Sequence, residues 1–171
     1  MITDELHLIP GVLVATPSLL DPNFHHTVIL MLQHDEEGSL GLVLNRPTKH
    51  PCAEVARSLD IEWGLDENHF ISVGGPVEPQ SLWMVHPNHW LFEESIQIGS
   101  GLAVSRSESA LRDMCMAREE RLRMFIGYAG WGPGQLEQEI KDGSWIITEA
   151  TNTLIFQTAD AEVWDLSLIH I

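Results

Sequence analysis

The sequence is short of cations, cysteine and long apolar runs, and each shortage removes a class of function. Nine lysines and arginines face 25 aspartates and glutamates among 171 residues, a formal net charge of −16. Residues 1–105 hold only Arg46, Lys49 and Arg57 against fourteen acids. Nucleic-acid binding depends on basic side chains that displace counterions from phosphates, so no direct nucleic-acid contact is expected. The two cysteines, Cys52 and Cys115, make no disulfide framework. The longest apolar run lies within Thr27–Leu32, far below the ~20 residues a bilayer-spanning helix needs. The start, Met-Ile-Thr-Asp-Glu, is acidic and has neither the basic nor the apolar region of a signal peptide. A cytoplasmic protein with no membrane partner is the expectation. Linkers, repeats and low-complexity stretches are also missing from the sequence, so residues 1–171 read as a single domain.

Catalytic and metal motifs are equally scarce. There is no Cys-x-x-Cys and no His-Glu-x-x-His. His86-Pro-Asn-His89 is a lone pair, and His25, His26 and His34 lie near Asp35 and Glu36 without forming a set of three or four ligands. These histidines read as surface groups in strand ends and loops, and no metal is expected. Cys52 and Cys115 fall on apolar faces of predicted helices, where a thiol is a small inert hydrophobe. No cofactor is implied and the catalytic residues, if any, are unknown.

What is present is a chain with 44% hydrophobic residues, enough for a sizeable core. Gly11–Ala15 reads as a first strand, and the proline-bearing Thr16–Phe24 as a loop. His26–Gln33 is β-branched and almost continuously apolar, which suits a strand buried on both faces. Asp35–Ser39 is a turn, and Leu40–Asn45 is the returning strand of a hairpin ended by Arg46-Pro47. A short helix with Pro51 in its first turn carries Cys52, Val55 and Leu59 on one face. Phe70–Val73 and Leu82–His86 read as strands, and Ser95–Val104 as one or two more around Gly99-Ser100-Gly101. Ser105 with Glu108 is a capping-box signature for a helix over 106–118. Leu122–Tyr128 is a strand, followed by a glycine-rich turn and a helix that stops at Asp142-Gly143. Trp145–Thr148 is a last strand. A final helix capped at Thr158 carries Val163, Leu166 and Ile169. Strands often follow one another without a helix between them, which makes the class α+β.

The stretch from Arg123 to Ile140 concentrates the special backbone positions. Strand, glycines and helix start can cradle a phosphate. Here the spacing Gly130-Trp-Gly-Pro-Gly134 is one residue short of a dinucleotide fingerprint, and no Lys-Ser/Thr follows. Pro133 removes an N–H, and Glu137 and Glu139 place negative charge at the helix start. A structural turn, with Pro133 at the first helical position, is the favoured reading. No Ser, Cys or Asp sits in the turn to act as a nucleophile. The turn has a second possible use. Asn45, Arg46, Gly74, Gly75, Tyr128, Gly130, Trp131 and Gln135 all lie where strands end. If those ends share one side, they form a polar-aromatic ligand pocket with Arg46 as an anion clamp. The alternative is that Arg46 pairs with a neighbouring carboxylate and Asn45 caps a turn. Six tryptophans accompany a single tyrosine. Trp145 and Trp164 read as core, while Trp63, Trp83, Trp90 and Trp131 border loops, where aromatics serve protein interfaces.

Several blocks together resemble the YqgE/AlgH family of bacterial proteins. They are Pro17–Phe24 with Thr27–Leu30, Gly41-Leu-Val-Leu-Asn-Arg-Pro47, Val73-Gly-Gly-Pro-Val77, and Gly127-Tyr-Ala-Gly-Trp-Gly-Pro-Gly-Gln-Leu-Glu-Gln-Glu139. Trp145, Phe156 and Trp164 fall where that family tends to place an aromatic. The resemblance spans nearly the whole chain in order. It implies a single α+β domain with a mixed, strongly curved, partly barrel-like β-sheet flanked by helices. It carries over no catalytic residue. His25-His26 departs from the basic residue the family often has there. Three functions stay open. They are a non-catalytic interaction or indirect regulatory protein with a protein partner, a small-ligand-binding protein or enzyme using the pocket near Arg46 and Trp131, and a direct DNA-binding regulator, which the charge disfavours. The oligomeric state is open.

Overall fold

The computed structural model describes residues 8–99 and 101–169. Its strands are β1 (Val12–Ala15), β2 (Val28–Asp35), β3 (Gly38–Val43), β4 (Pro47–Pro51), β5 (Phe70–Val73), β6 (Val77–Pro87), β7 (Ile96–Gly99), β8 (Leu102–Ser105), β9 (Arg123–Trp131) and β10 (Trp145–Thr148). The helices are α1 (Cys52–Ser58), α2 (Glu108–Met116), α3 (Gln135–Lys141) and α4 (Asp160–Ile169), with a π-helical turn at Thr153–Gln157. The sheet runs β10-β1-β2-β3-β9-β6-β8-β7, with β4 paired to β5 off this path. Its neighbours are antiparallel except β5 against β9, so it is mixed, as expected.

Alternation along the strands explains why the sheet curls. Val12, Val14, Val28 and Leu30 point to one face and pack with Ile98, Leu102 and Val104 from the opposite end of the sheet. Strands so far apart in hydrogen-bonding order can share a core only if the sheet rolls into a half-barrel. The rims approach closely, since a Cβ on Gly99 of β7 would stand 3.1 Å from the Pro10 ring ahead of β1. The odd-numbered partners Leu13, Ala15, Ile29 and Met31 face outward and pack with Trp131, Leu136 and Trp145. Strand β2 is thus buried on both faces along its apolar half, as its composition predicts. Helices α1 and α2 cover a third cluster on the outer face of β5, β6 and β9, with Cys52, Leu111, Met114, Met84 and Met124. No described helix is long and apolar enough to cross a membrane.

Glycine sets the path of β9. Met124 and Ile126 face the helices and Phe125 faces the barrel interior. Strict alternation would put Ala129 inside with Phe125, yet it packs outside with Trp131. The phase changes at Gly127, whose φ is +72°, and the β6 register slips opposite it, between Val77 and Leu82. This is the signature of a bulge. It lets β9 pair with β5 and β6 first and with β3 afterwards.

Several local expectations are corrected. The chain does not leave the sheet at Arg46-Pro47. It forms β4, with prolines at both ends and β5 as its sheet partner, which suits proline's missing donor. Pro51 is the N-cap of α1, not part of its first turn. Strand β9 continues past Tyr128 to Trp131, and α3 is capped by Gly134 at φ +75°, so Pro133 precedes the helix instead of opening it. The cap of α2 is Ser107, whose hydroxyl accepts from the Ala110 N–H at 3.1 Å. Thr158 does not cap α4; its hydroxyl donates to the Thr153 carbonyl at 2.9 Å. Trp83 does not border a loop; it lies in β6 at 7% exposure. Residues 1–7, Ser100 and the side chain of Ile169 lie outside the described residues.

Ser105 fails as a cap because a histidine takes its hydroxyl. His86 is fully buried in β6, contrary to the surface reading. Its Nδ1 lies 2.9 Å from the Pro87 carbonyl, which can only accept, so Nδ1 carries the proton. Nε2 therefore accepts from Ser105 Oγ at 2.7 Å, and Ser105 accepts in turn from Ser95 Oγ at 2.6 Å. Burial lowers the His86 pKa below its ordinary 6.5. A histidine whose folded pKa is depressed contributes stability above its unfolded pKa and loses it as pH falls through the folded value.

The urea midpoint should therefore drop between about pH 7.5 and pH 5.5. It should drop less in His86→Gln, which keeps a donor and an acceptor without titrating; equal losses would contradict the assignment. Gly127 and Gly134 share a left-handed φ but not a neighbourhood. A Cβ at Gly127 would stand 2.3 Å from the Gly75 carbonyl oxygen, and one at Gly134 meets nothing within 4 Å. Urea unfolding should show Gly134→Ala costing about 1–2 kcal/mol and Gly127→Ala roughly twice that or more. Similar costs would refute the bulge account.

Candidate functional site

The three turns expected to frame a pocket do meet, but backbone against backbone. The Gly74 carbonyl accepts from the Val43 N–H and the Gly74 N–H donates to the Ile126 carbonyl, each at 2.8 Å. The Val73 N–H donates to the Arg46 carbonyl at 2.8 Å. A Cβ at Gly74 would stand 2.4 Å from the Gly127 carbonyl oxygen, and one at Gly75 2.1 Å from the Tyr128 carbonyl carbon. These glycines leave room for crossing chains.

The side chains around this crossing are largely occupied. Asn45 is buried. Its carbonyl oxygen accepts from the Val28 N–H at 3.0 Å and its amide donates to the His26 carbonyl at 2.9 Å, which ties the ends of β2 and β3. Arg46 donates to the His25 carbonyl and to the Asn45 carbonyl. Neither is the carboxylate partner considered from sequence. Burial lowers its pKa from the ordinary arginine value. The His25 ring stacks on His26, and His26 stacks on Trp164, each with centroids 3.8 Å apart. Tyr128 donates to Glu78 at 3.0 Å, a bond that raises the phenol pKa. The Trp131 indole N–H donates to Glu139 at 3.1 Å, the Trp145 indole to the same carboxylate at 2.9 Å, and the Gln135 amide to it at 2.8 Å. Trp131 is 6% exposed and belongs to the outer core, not to an open turn. Tyr128, Gly130 and Trp131 line a common depression with Asp35, Glu37 and Ser39. Asn45, Arg46, Gly74, Gly75 and Gln135 are not among its lining residues.

A more polar cleft of about 400 Å³ opens elsewhere, between β4, the end of the 59–70 loop and the C-terminal segment. Its inner wall is Arg123, the first residue of β9. This guanidinium is deeply buried and is held by oxygens from four separate places. It donates to the carbonyls of Ile155 (3.1 Å) and Leu44 (2.8 Å), to Ser72 Oγ (2.9 Å), and to Asp160 Oδ1 (3.5 Å). It also lies 4.9 Å from the centroid of the Phe125 ring. Burial lowers the Arg123 pKa, against the pull of Asp160. Burial likewise raises the Asp160 carboxyl above its ordinary range, although Arg123 opposes the shift. At the mouth, His69 Nε2 lies 3.0 Å from Glu120 Oε1, which also accepts from the Asp66 N–H.

This arrangement binds more readily than it reacts. Cys52 lines the cleft, but burial pushes its thiol up to about 12, so it stays protonated at neutral pH. Burial raises Cys115 as well. Among the described residues no group of three or more His, Cys, Asp or Glu is placed to hold a metal ion. The volume falls within the roughly 300–1,000 Å³ of small-molecule sites. None of Arg123, Asp160, His69 and Glu120 stood out as a site residue from sequence. The one available signal was Arg123 itself, a charge at the head of an apolar strand.

A family model described as AlgH-like (DUF179) matches residues 12–171. A UPF0301 protein of Myxococcus xanthus is 43% identical over 164 residues, covering 95% of this chain and 90% of that one. A UPF0301 protein of Chlorobium limicola is 35% identical over 173 residues, covering 98% and 89%. The solution structure of the AlgH protein from Pseudomonas aeruginosa aligns with a TM-score of 0.80 at 31% identity, over 99% of this chain and 92% of that one. A crystal structure of a Corynebacterium diphtheriae protein gives the same TM-score at 25% identity, over 97% and 88%.

Proposed function

This chain belongs to the AlgH-like family, and on that premise we propose that it is a cytoplasmic, non-catalytic binding protein of regulatory type. It takes a small polar ligand into the Arg123 cleft and passes the occupancy to a protein partner through its C-terminal segment. The observation that carries this reading is the position of Arg123. One guanidinium forms the cleft wall and holds both the π-helical turn and the start of α4. A ligand that competes for Asp160, or bridges it to His69 and Glu120, alters that hold. The elevated Cys52 thiol argues against thiol catalysis. The net charge of −16 argues against direct contact with DNA. The depression beside Tyr128, Gly130 and Trp131 is proposed as a shallower secondary contact area. Asn45, Arg46, Gly74, Gly75 and Gln135 are proposed to support it by bracing the strand ends.

A thermal-shift screen of amino acids, dicarboxylates, amines and nucleotides tests the cleft. At least one compound should raise the melting temperature by several degrees when present at ~100 times its Kd. The shift should vanish in His69→Ala, whose side chain sits at the mouth and leaves the core intact. An empty screen, or a shift equally large in His69→Ala, counts against the cleft as the ligand site.

A further inference from the structure

The barrel interior is left open where its sheet ends. Among the described residues β7 has no sheet partner beyond β8, and its Ile96 stands 56% exposed. Beside it lies an apolar socket lined by Leu32, Leu40, Trp83, Ile96, Ile98 and Val104. Gln33 completes the lining, but its amide donates to Asp35 at 2.9 Å, and the Trp83 indole N–H donates to Ser81 at 3.0 Å. The socket therefore calls for an apolar group. Its volume of about 60 Å³, at ~10–15 Å³ per heavy atom, holds about four or five atoms, the size of a leucine or isoleucine side chain.

Gln33 and Leu40 also line the depression of about 400 Å³ beside Tyr128. The Tyr128 ring meets the Trp83 ring edge-on, with centroids 5.7 Å apart. Socket and depression are thus one groove, apolar at one end and acidic at the other. Asp35 and Glu37 are the charged side chains of its lining, which holds no lysine, arginine or histidine. The Gln33 amide holds the Asp35 carboxyl below its ordinary range. Glu78 brings a third carboxylate to the rim through its 3.0 Å bond to the Tyr128 hydroxyl. Arg106 lies 4.2 Å from the Trp83 ring centroid, outside the lining, and donates to the Leu82 carbonyl.

We infer that this groove docks a segment of a protein partner that presents one leucine- or isoleucine-sized side chain flanked by lysines or arginines. The aliphatic group fills the socket, and the cations meet Asp35, Glu37 and Glu78. Apolar surface rimmed by polar groups is the usual make-up of such a contact. The net charge of −16 favours the approach of a basic segment. The inference rests on the depression being a contact area and is independent of the Arg123 cleft.

An amide-resolved NMR titration of the full chain with the end-blocked peptide Lys-Lys-Leu-Lys-Lys tests it, with Lys-Lys-Ser-Lys-Lys, Glu-Glu-Leu-Glu-Glu and octylamine as comparisons. The leucine peptide should shift the amides of Leu40, Ile96 and Val104. It should bind roughly tenfold more tightly than the serine peptide, and more weakly as salt rises from ~0.05 to ~0.5 M. Ile96→Ser, at an exposed position that leaves the core intact, should lower affinity several-fold. Glu37→Gln, also exposed, should lower it roughly two- to fivefold. Equal binding of the leucine and serine peptides, undiminished binding by both variants, or shifts confined to residues away from the groove would overturn the inference. Groove shifts caused only by the acidic peptide or by octylamine would overturn it too, while leaving the depression a contact area. Silence from every probe would remove both.

Discussion

A buried guanidinium must find acceptors for its N–H groups, because water is not there to take them. Arg123 meets that demand with oxygens from Leu44, Ser72, Ile155 and Asp160. The four lie just after β3, within β5, in the π-helical turn and at the start of α4. One desolvated charge thus joins the central strand of the sheet to its neighbours and to the chain's C-terminal segment. Removing either member of a buried pair strands the other, at about 3–5 kcal/mol where the site is fully enclosed. Asp160 remains partly exposed, so its share is smaller. The interaction also shapes the cleft, because the same guanidinium that fastens the segment forms its wall.

The second constraint is steric and lies a few residues along the same strand. At Gly74, Gly75 and Gly127 two chains pass so closely that a Cβ would overlap backbone atoms. The positive φ of Gly127 shifts the phase of β9, so the strand buries Phe125 inside the barrel and Trp131 outside it. The outer aromatic layer then closes on one carboxylate. Glu139 of α3 accepts from both Trp131 and Trp145, which clamps the helix to the sheet. The family's most recognisable stretch is therefore a sheet-crossing device in the first instance.

Local patterns reached as far as local causes extend. The apolar continuity of His26–Gln33 revealed a strand buried on both faces, whereas the glycines after Tyr128 read as a strand-to-helix turn, and the close crossing of chains at Gly74, Gly75 and Gly127 emerged only in the fold. Cys52 and Cys115 were legible as core residues. Contacts between distant residues were not. Arg123 and Asp160 are 37 positions apart, His69 and Glu120 are 51 apart, and only the fold brings them to one cleft. Ser105 looked like a helix cap because its competitor, His86, is 19 residues away across a strand pair. Trp131 looked exposed because glycines surround it, while the carboxylate that buries its indole lies on the next helix. Arg46 was singled out for its rarity, yet carbonyls nearby satisfy it.

The account turns on the claim that Arg123 holds the C-terminal segment against the sheet. Native-state hydrogen exchange on Arg123→Met tests that claim most directly. Amides of residues 153–169 should exchange roughly tenfold faster or more than in the wild type, while those of β1, β2 and β3 keep their protection. Wild-type exchange across 153–169 would contradict the claim and separate the cleft from the segment it is proposed to control.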